Sequence, residues 1–216
     1  GRCCIQRGWE GLKTSMVIDD IRVSSRSVLA AHGLSVPDSL PTLDVANLRT
    51  CEDILDRLFC LNAVAAASYG FEAVRAHSWL KREQLDENLT QSERSFLEEG
   101  QGERDAFRVQ VEAMWALAWA VNVVPEIDFW RDCDSRFVNL LPNLNTGESV
   151  VRTMGQAALR ANNQIVAACD LSYCLHWIIR EALIKDDPFP PDLQPHVVIE
   201  RRRALEWILS EDAWDR

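Results

Sequence analysis

Glycine and proline are scarce in this chain, nine and eight among 216 residues, and that scarcity argues against a loop-rich or disordered protein. Long apolar runs are missing too. The apolar stretch at mid-chain, Ala113 to Val121, is about half of what a bilayer span needs, which excludes a membrane reading. Clustered cations are absent: 33 Asp and Glu outnumber 23 Lys and Arg, for a net charge of −10. Neither nucleic acid nor an anionic membrane surface suits such a chain, and a basic protein partner suits it better. There is no G-x-S-x-G, P-loop, G-x-G-x-x-G or H-E-x-x-H pattern, so a serine nucleophile with a positioned histidine is unsupported. No strand alternation, internal repeat or low-complexity tract occurs. No signal-peptide pattern opens the chain, which starts on Gly1-Arg2 rather than methionine, as a piece of a longer product would. Seven cysteines, an odd number scattered along the chain, fit free thiols in a reducing, cytoplasmic setting.

What the chain does have is helical periodicity. Phe107, Val111, Met114, Ala118 and Val121 recur at spacings of four and three, and Trp115 and Trp119 widen the stripe, so 104–124 reads as a central core helix. Its second half is apolar all round, the pattern of a helix covered on every side. Pro125 is the expected stop. Eight tryptophans and seven phenylalanines predict an aromatic-rich core.

Around that rod the remaining helices can be placed by their ends. Residues 1–18 lack a sustained period and read as a loosely ordered N-terminal arm, ahead of a single domain over 19–216. Asp19 or Asp20 can cap a helix to His32 with Ile21, Val28 and Leu29 inward, and Gly33 stops it. Residues 36–47 read as a connector. Thr50 with Asp53 and Thr90 with Glu93 form capping boxes; between them a shorter helix covers Glu72 to Leu80, and Gly100 ends the helix behind the second box. Residues 126–145 read as one helix carrying Phe129, Trp130, Phe137, Leu140 and Leu141. Residues 148–185 read as one long helix or two in line, with Asp170 as the place for a bend. A proline-rich crossing at 186–195 precedes a last helix, Val197 to Leu209, that turns Val198, Leu205, Ile208 and Leu209 inward. The expected fold is an all-α single-domain bundle of seven to nine helices.

Several of these stretches carry a family pattern: LRTCEDILDRLFCLNAVA at 48–65, LTQSERSFL at 89–97, QVEAMWALAWAVNVVP at 110–125, and HWIIREAL with IERRRALEWILSEDAWD across 176–215. In order and spacing they resemble the bacterial DUF4272 proteins, with EAMWALAWA and ERRRALEW the most specific pieces. The chain departs from that pattern at Val109, where the family carries tryptophan, and at Val121-Asn122, where it carries Leu-Gly. It also stops at Arg216, where the family continues into a short Asp-Thr tail. The resemblance implies an all-α fold and lends no activity, because the family has none assigned.

Glu112 is the most informative polar residue. A carboxylate on a nearly all-apolar helix is costly to bury unless it is neutralised, and Arg201 or Arg202 from the last helix is the natural partner. The expectation is a buried structural tie, with Arg201-Arg202-Arg203 supplying one inward charge and two solvated ones. A rival enzyme reading groups Glu112, His176, Glu181, Glu200 and Arg201 as an acid–base site in a water-accessible cleft. Cys169, Cys174, His176 and His196 lack the spacing of a zinc site, so no metal and no cofactor is expected. Trp207 and Trp214 read as core and closing aromatics or, if exposed together, as a binding patch. The leading functional expectation is a soluble, non-catalytic protein-binding protein, adaptor- or immunity-like, that covers a basic surface. A homo-oligomer subunit is the third reading.

Overall fold

The computed structural model describes residues 18–45 and 48–214, and among these the chain is all-α, with nine α-helices and no strand. The helices are α1 (18–31), α2 (Cys51–Ser68), α3 (Ala73–Arg82), α4 (Gln91–Glu99), α5 (Arg104–Arg108), α6 (Val111–Ala120), α7 (Val151–Gln156), α8 (Asn162–Lys185) and α9 (Pro195–Ile208). Short 3-10 helices occupy Asp86–Asn88 and Ser135–Leu140. No helix among the described residues is long and apolar enough to cross a membrane. The arm expected at 1–18 lies outside the described residues except for residue 18, which is already helical. Asp19 and Asp20 therefore sit inside α1 and do not cap it.

Local chemistry sets α2 and α4. Thr50 Oγ1 accepts from the Asp53 amide at 3.1 Å while Asp53 accepts from the Thr50 amide at 3.0 Å. Thr90 and Glu93 repeat the exchange at 3.2 and 3.0 Å. Each box satisfies helix-end amides that would otherwise lack partners. Gly100 then ends α4 in the left-handed conformation, φ +70°.

α6 is the core element. Met114, Ala118 and Val121 have no exposed surface, and α2 and α9 pack against it. Half-buried Trp115 meets the Phe137 ring edge-on at 5.3 Å. The rod is nevertheless shorter than 104–124. Its ladder is interrupted at Val109–Gln110, where the Glu112 amide bonds back only three residues, to Val109 O at 3.2 Å. The stop is not Pro125. α6 ends at Ala120, and Asn122 turns the chain with φ +58° while its side-chain amide donates to Ala158 O at 2.7 Å.

The end of α6 also shapes a later part of the chain. Residues 148–185 are broken at Ala157–Ala161, not bent at Asp170: the amides of Ala158 and Arg160 donate to Val121 O and Ala120 O at 3.0 and 2.9 Å. The extended segment supplies donors for carbonyls that the end of α6 leaves open. Residues 126–145 are not a helix either. They run irregularly apart from Ser135–Leu140, because side chains from other elements claim their backbone: Glu112 accepts from the Cys133 amide and Arg201 donates to Arg131 O. Phe129, Phe137 and Leu141 still reach the core, whereas Leu140 is exposed.

Asp170 is buried in uninterrupted α8, and its partner is Arg22 of α1. Arg22 Nε donates to both carboxylate oxygens at 3.1 and 3.0 Å, and Nη2 adds a bond at 2.7 Å. The inward face of α1 is consequently Arg22, Ser25 and Leu29; Val28, expected inside, is exposed and Ile21 is only half-buried.

Candidate functional site

Glu112 and Arg201 meet in the interior, 3% and 1% exposed. Arg201 Nε and Nη2 donate to Glu112 Oε2 at 2.9 and 2.5 Å. Both bonds land on one oxygen; the other, Oε1, accepts from the Cys133 amide at 3.0 Å. Arg201 Nη2 also donates to Arg131 O at 3.0 Å. The pair thus ties α6, the 126–134 loop and α9 together, each carboxylate oxygen occupied. Burying the charges is offset by these bonds, so that the pair holds three parts of the fold in register.

Of the other candidate catalytic residues, Glu200 feels the Glu112 charge, whereas Glu181 and His176 are engaged elsewhere. Glu200 sits one residue before Arg201 and pairs weakly with Arg203 at 3.6 Å. Burial pushes its carboxyl above the usual range against the pull of Arg203. Glu181 forms a helical pair with Lys185 at 2.9 Å. His176 lies against Arg202 and lines a cavity that none of the other four lines.

Metal chemistry has one geometric candidate among the described residues: ligand atoms of Glu112, Asp132 and His196 lie within 4.8 Å of one another. Their bonds are already made. Glu112 is occupied as above, and His196 Nε2 pairs with Asp132 at 3.1 Å. Cys169 and Cys174 are buried, free thiols outside that group. Burial raises every described thiol, Cys60 and Cys133 to about 12 and Cys174 to about 11. Thiolate chemistry needs the opposite shift.

The C-terminal segment after α9 is clasped by arginines. Arg49 Nε and Nη2 donate to Trp207 O and Asp212 O at 2.8 and 2.6 Å, and its guanidinium covers the Trp207 ring at 4.0 Å. Arg203 donates to Trp214 O at 3.0 Å and covers the Trp214 ring at 4.7 Å. The two indoles meet edge-on at 5.4 Å, with Trp214 buried and Trp207 half-buried. Both are closing aromatics, as expected. The expectation of two solvated arginines fails: Arg203 is held on Trp214, and Arg202 on His176 and Glu206. Nothing in the local pattern marks Arg49 as the clasp of this segment, since its contacts lie 158 and 163 residues away.

Residues 209–214 form a wall between two depressions. One, of about 440 Å³, lies toward the start of α2 and includes Asp53, Asp56, Leu89 and Glu211. The other, of about 740 Å³, lies between α8, α9 and residues 42–45 and includes Tyr173, His176, Arg180 and Arg202.

No curated protein and no solved structure matches the chain. One family model does, over residues 22–216, and its description is "Domain of unknown function (DUF4272)". With nearly the whole chain covered, from the arginine of α1 that holds Asp170 to the segment behind α9, the protein belongs to the DUF4272 family.

Proposed function

We propose that the protein works by binding, and that the acidic depression at the start of α2 receives a basic segment of another protein. One observation carries this reading. In that depression the arginines are committed, Arg49 to the C-terminal segment and Arg57 to Glu93 at 2.7 Å, whereas Asp53, Asp56 and Glu211 have no cationic partner among the described residues. The Asp56 carboxyl is pushed above its ordinary value by burial, then by neighbouring Glu52, with Asp53 adding to the shift and Asn88 opposing it. A lysine or arginine from a partner would relieve that repulsion, and the net charge of −10 would speed the encounter. The sealed Glu112–Arg201 pair and the scattered positions of His176 and Glu181 favour binding over catalysis.

Affinity capture with wild-type protein and with the Asp56→Lys/Glu211→Lys variant tests this. The expected result is a basic protein retained by wild type at low salt, released as salt rises, and not retained by the variant. No partner above background, or equal retention by the variant, would overturn it.

A further inference from the structure

The depression on the other side of the C-terminal wall has a different lining, with three arginines, a histidine and a tyrosine. On α8, Tyr173, His176 and Arg180 stand at i, i+3 and i+7 and so share one helix face. Opposite them α9 presents Ile199, Arg202 and Glu206. Arg202 Nη1 contacts His176 Nδ1. A guanidinium can only donate, so Nδ1 accepts, the imidazole is neutral, and its one hydrogen sits on Nε2. Burial, then the charges of Arg202 and Arg180, hold the His176 pKa down to about 4, in agreement with a neutral ring.

Several donors of this cavity are left over. Arg180 is exposed and has no carboxylate partner among the described residues. The His176 Nε2–H and the Tyr173 hydroxyl have no hydrogen-bond partner among them either, and Arg203 Nε is buried without one. Three acids line the same cavity. Glu206 is taken by Arg202 Nε and Nη2 at 2.8 and 2.5 Å; Asp44 is exposed on the 42–45 strap, and Asp212 lies in the wall whose carbonyl Arg49 holds. Leu43, Val45, Ile199 and Leu209 supply apolar lining. A volume of about 740 Å³ falls in the range of small-molecule sites, which combine apolar walls with a few convergent polar groups.

The geometry points to a binding site for a small organic anion in this cavity, its carboxylate or phosphate group held by Arg180, the His176 Nε2–H and the Tyr173 hydroxyl, its apolar body against the 42–45 strap and α9. This site is separate from the acidic depression, and either can fail without the other. An anion beside His176 favours the imidazolium, so occupancy raises the pKa of that histidine.

The test is side-chain NMR of His176 in the full chain, titrated with benzoate, phenyl phosphate and, as a control, benzylamine. The free protein should show the Nε2–H tautomer. Benzoate or phenyl phosphate should shift the His176 resonances saturably and raise its pKa by about one unit, and whichever binds names the anionic group. Arg180→Gln, at an exposed position that leaves the fold intact, should weaken binding by about tenfold or more, the loss of one charge-assisted contact; Asp56→Lys should not. The proposal falls if neither anion gives a saturable shift, if Arg180→Gln binds as wild type does, if benzylamine binds equally well, or if only an acidic peptide binds.

Discussion

Arg201 and Arg202 are neighbours on α9, the same residue type one position apart, and they do different work. Arg201 faces α6, is sealed in the core and ends on a carboxylate. Arg202 faces α8, is half-buried and ends on a neutral imidazole and Glu206. A rotation of about 100° per residue around a helix separates the two roles. The contrast shows how this family member uses one basic run both to hold its core and to line an open cavity.

The comparison breaks most severely at Arg201. Arg201→Met leaves the Glu112 carboxylate buried with only the Cys133 amide, and unfolding in urea should show a loss of about 3–5 kcal/mol. The double variant Arg201→Met/Glu112→Leu should be more stable than Arg201→Met alone, because no charge is stranded. Equal stability of the two variants would mean that the pair is not the tie described. Thr90→Ala should cost about 1 kcal/mol, since it halves a capping box whose Glu93 also serves as the buried partner of Arg57. Thermal unfolding reads that loss directly.

On the Arg202 side the effects are smaller and depend on pH. The folded pKa of His176, about 4 against an ordinary 6.5, means that the unfolded chain binds more protons between those values. Its contribution to stability is therefore fully present above about pH 6.5 and is lost as pH falls toward 4. Burial lowers His77 in the same direction. Melting temperatures of His176→Gln from pH 4 to 7 should show a shallower slope than wild type, a difference of at most about 1 kcal/mol once solvent screening is allowed for. Arg202→Gln should change stability by only about 0.5 kcal/mol yet raise the His176 pKa toward 6.5, because it removes a neighbouring cation. An unmoved His176 titration would show that Arg202 does not set the charge of the cavity.

The part of this architecture written locally in the chain is readable without the fold. Thr50 with Asp53, Thr90 with Glu93, Gly33 and Gly100 act within a few residues of themselves, so their spacing already carries their meaning. Glu112 is legible for another reason: a single acid on an apolar helix demands a base, and α9 offers the arginines. Asp170 poses the same demand yet reads locally as a bend, because its base, Arg22, lies 148 residues away on a helix whose apolar pattern turns Ile21 and Val28 inward.

Only the packed chain could say where α6 stops, why Ala157–Ala161 is extended, and why 126–145 is irregular. In each case the backbone hydrogen-bond partner comes from a distant element, and a backbone group takes whatever satisfied arrangement the core makes available. The acidic and donor-rich depressions belong to this second kind as well. Aspartates, arginines and a histidine are plain in the sequence, but which of them find partners is settled by how α2, α8, α9 and the C-terminal segment pack.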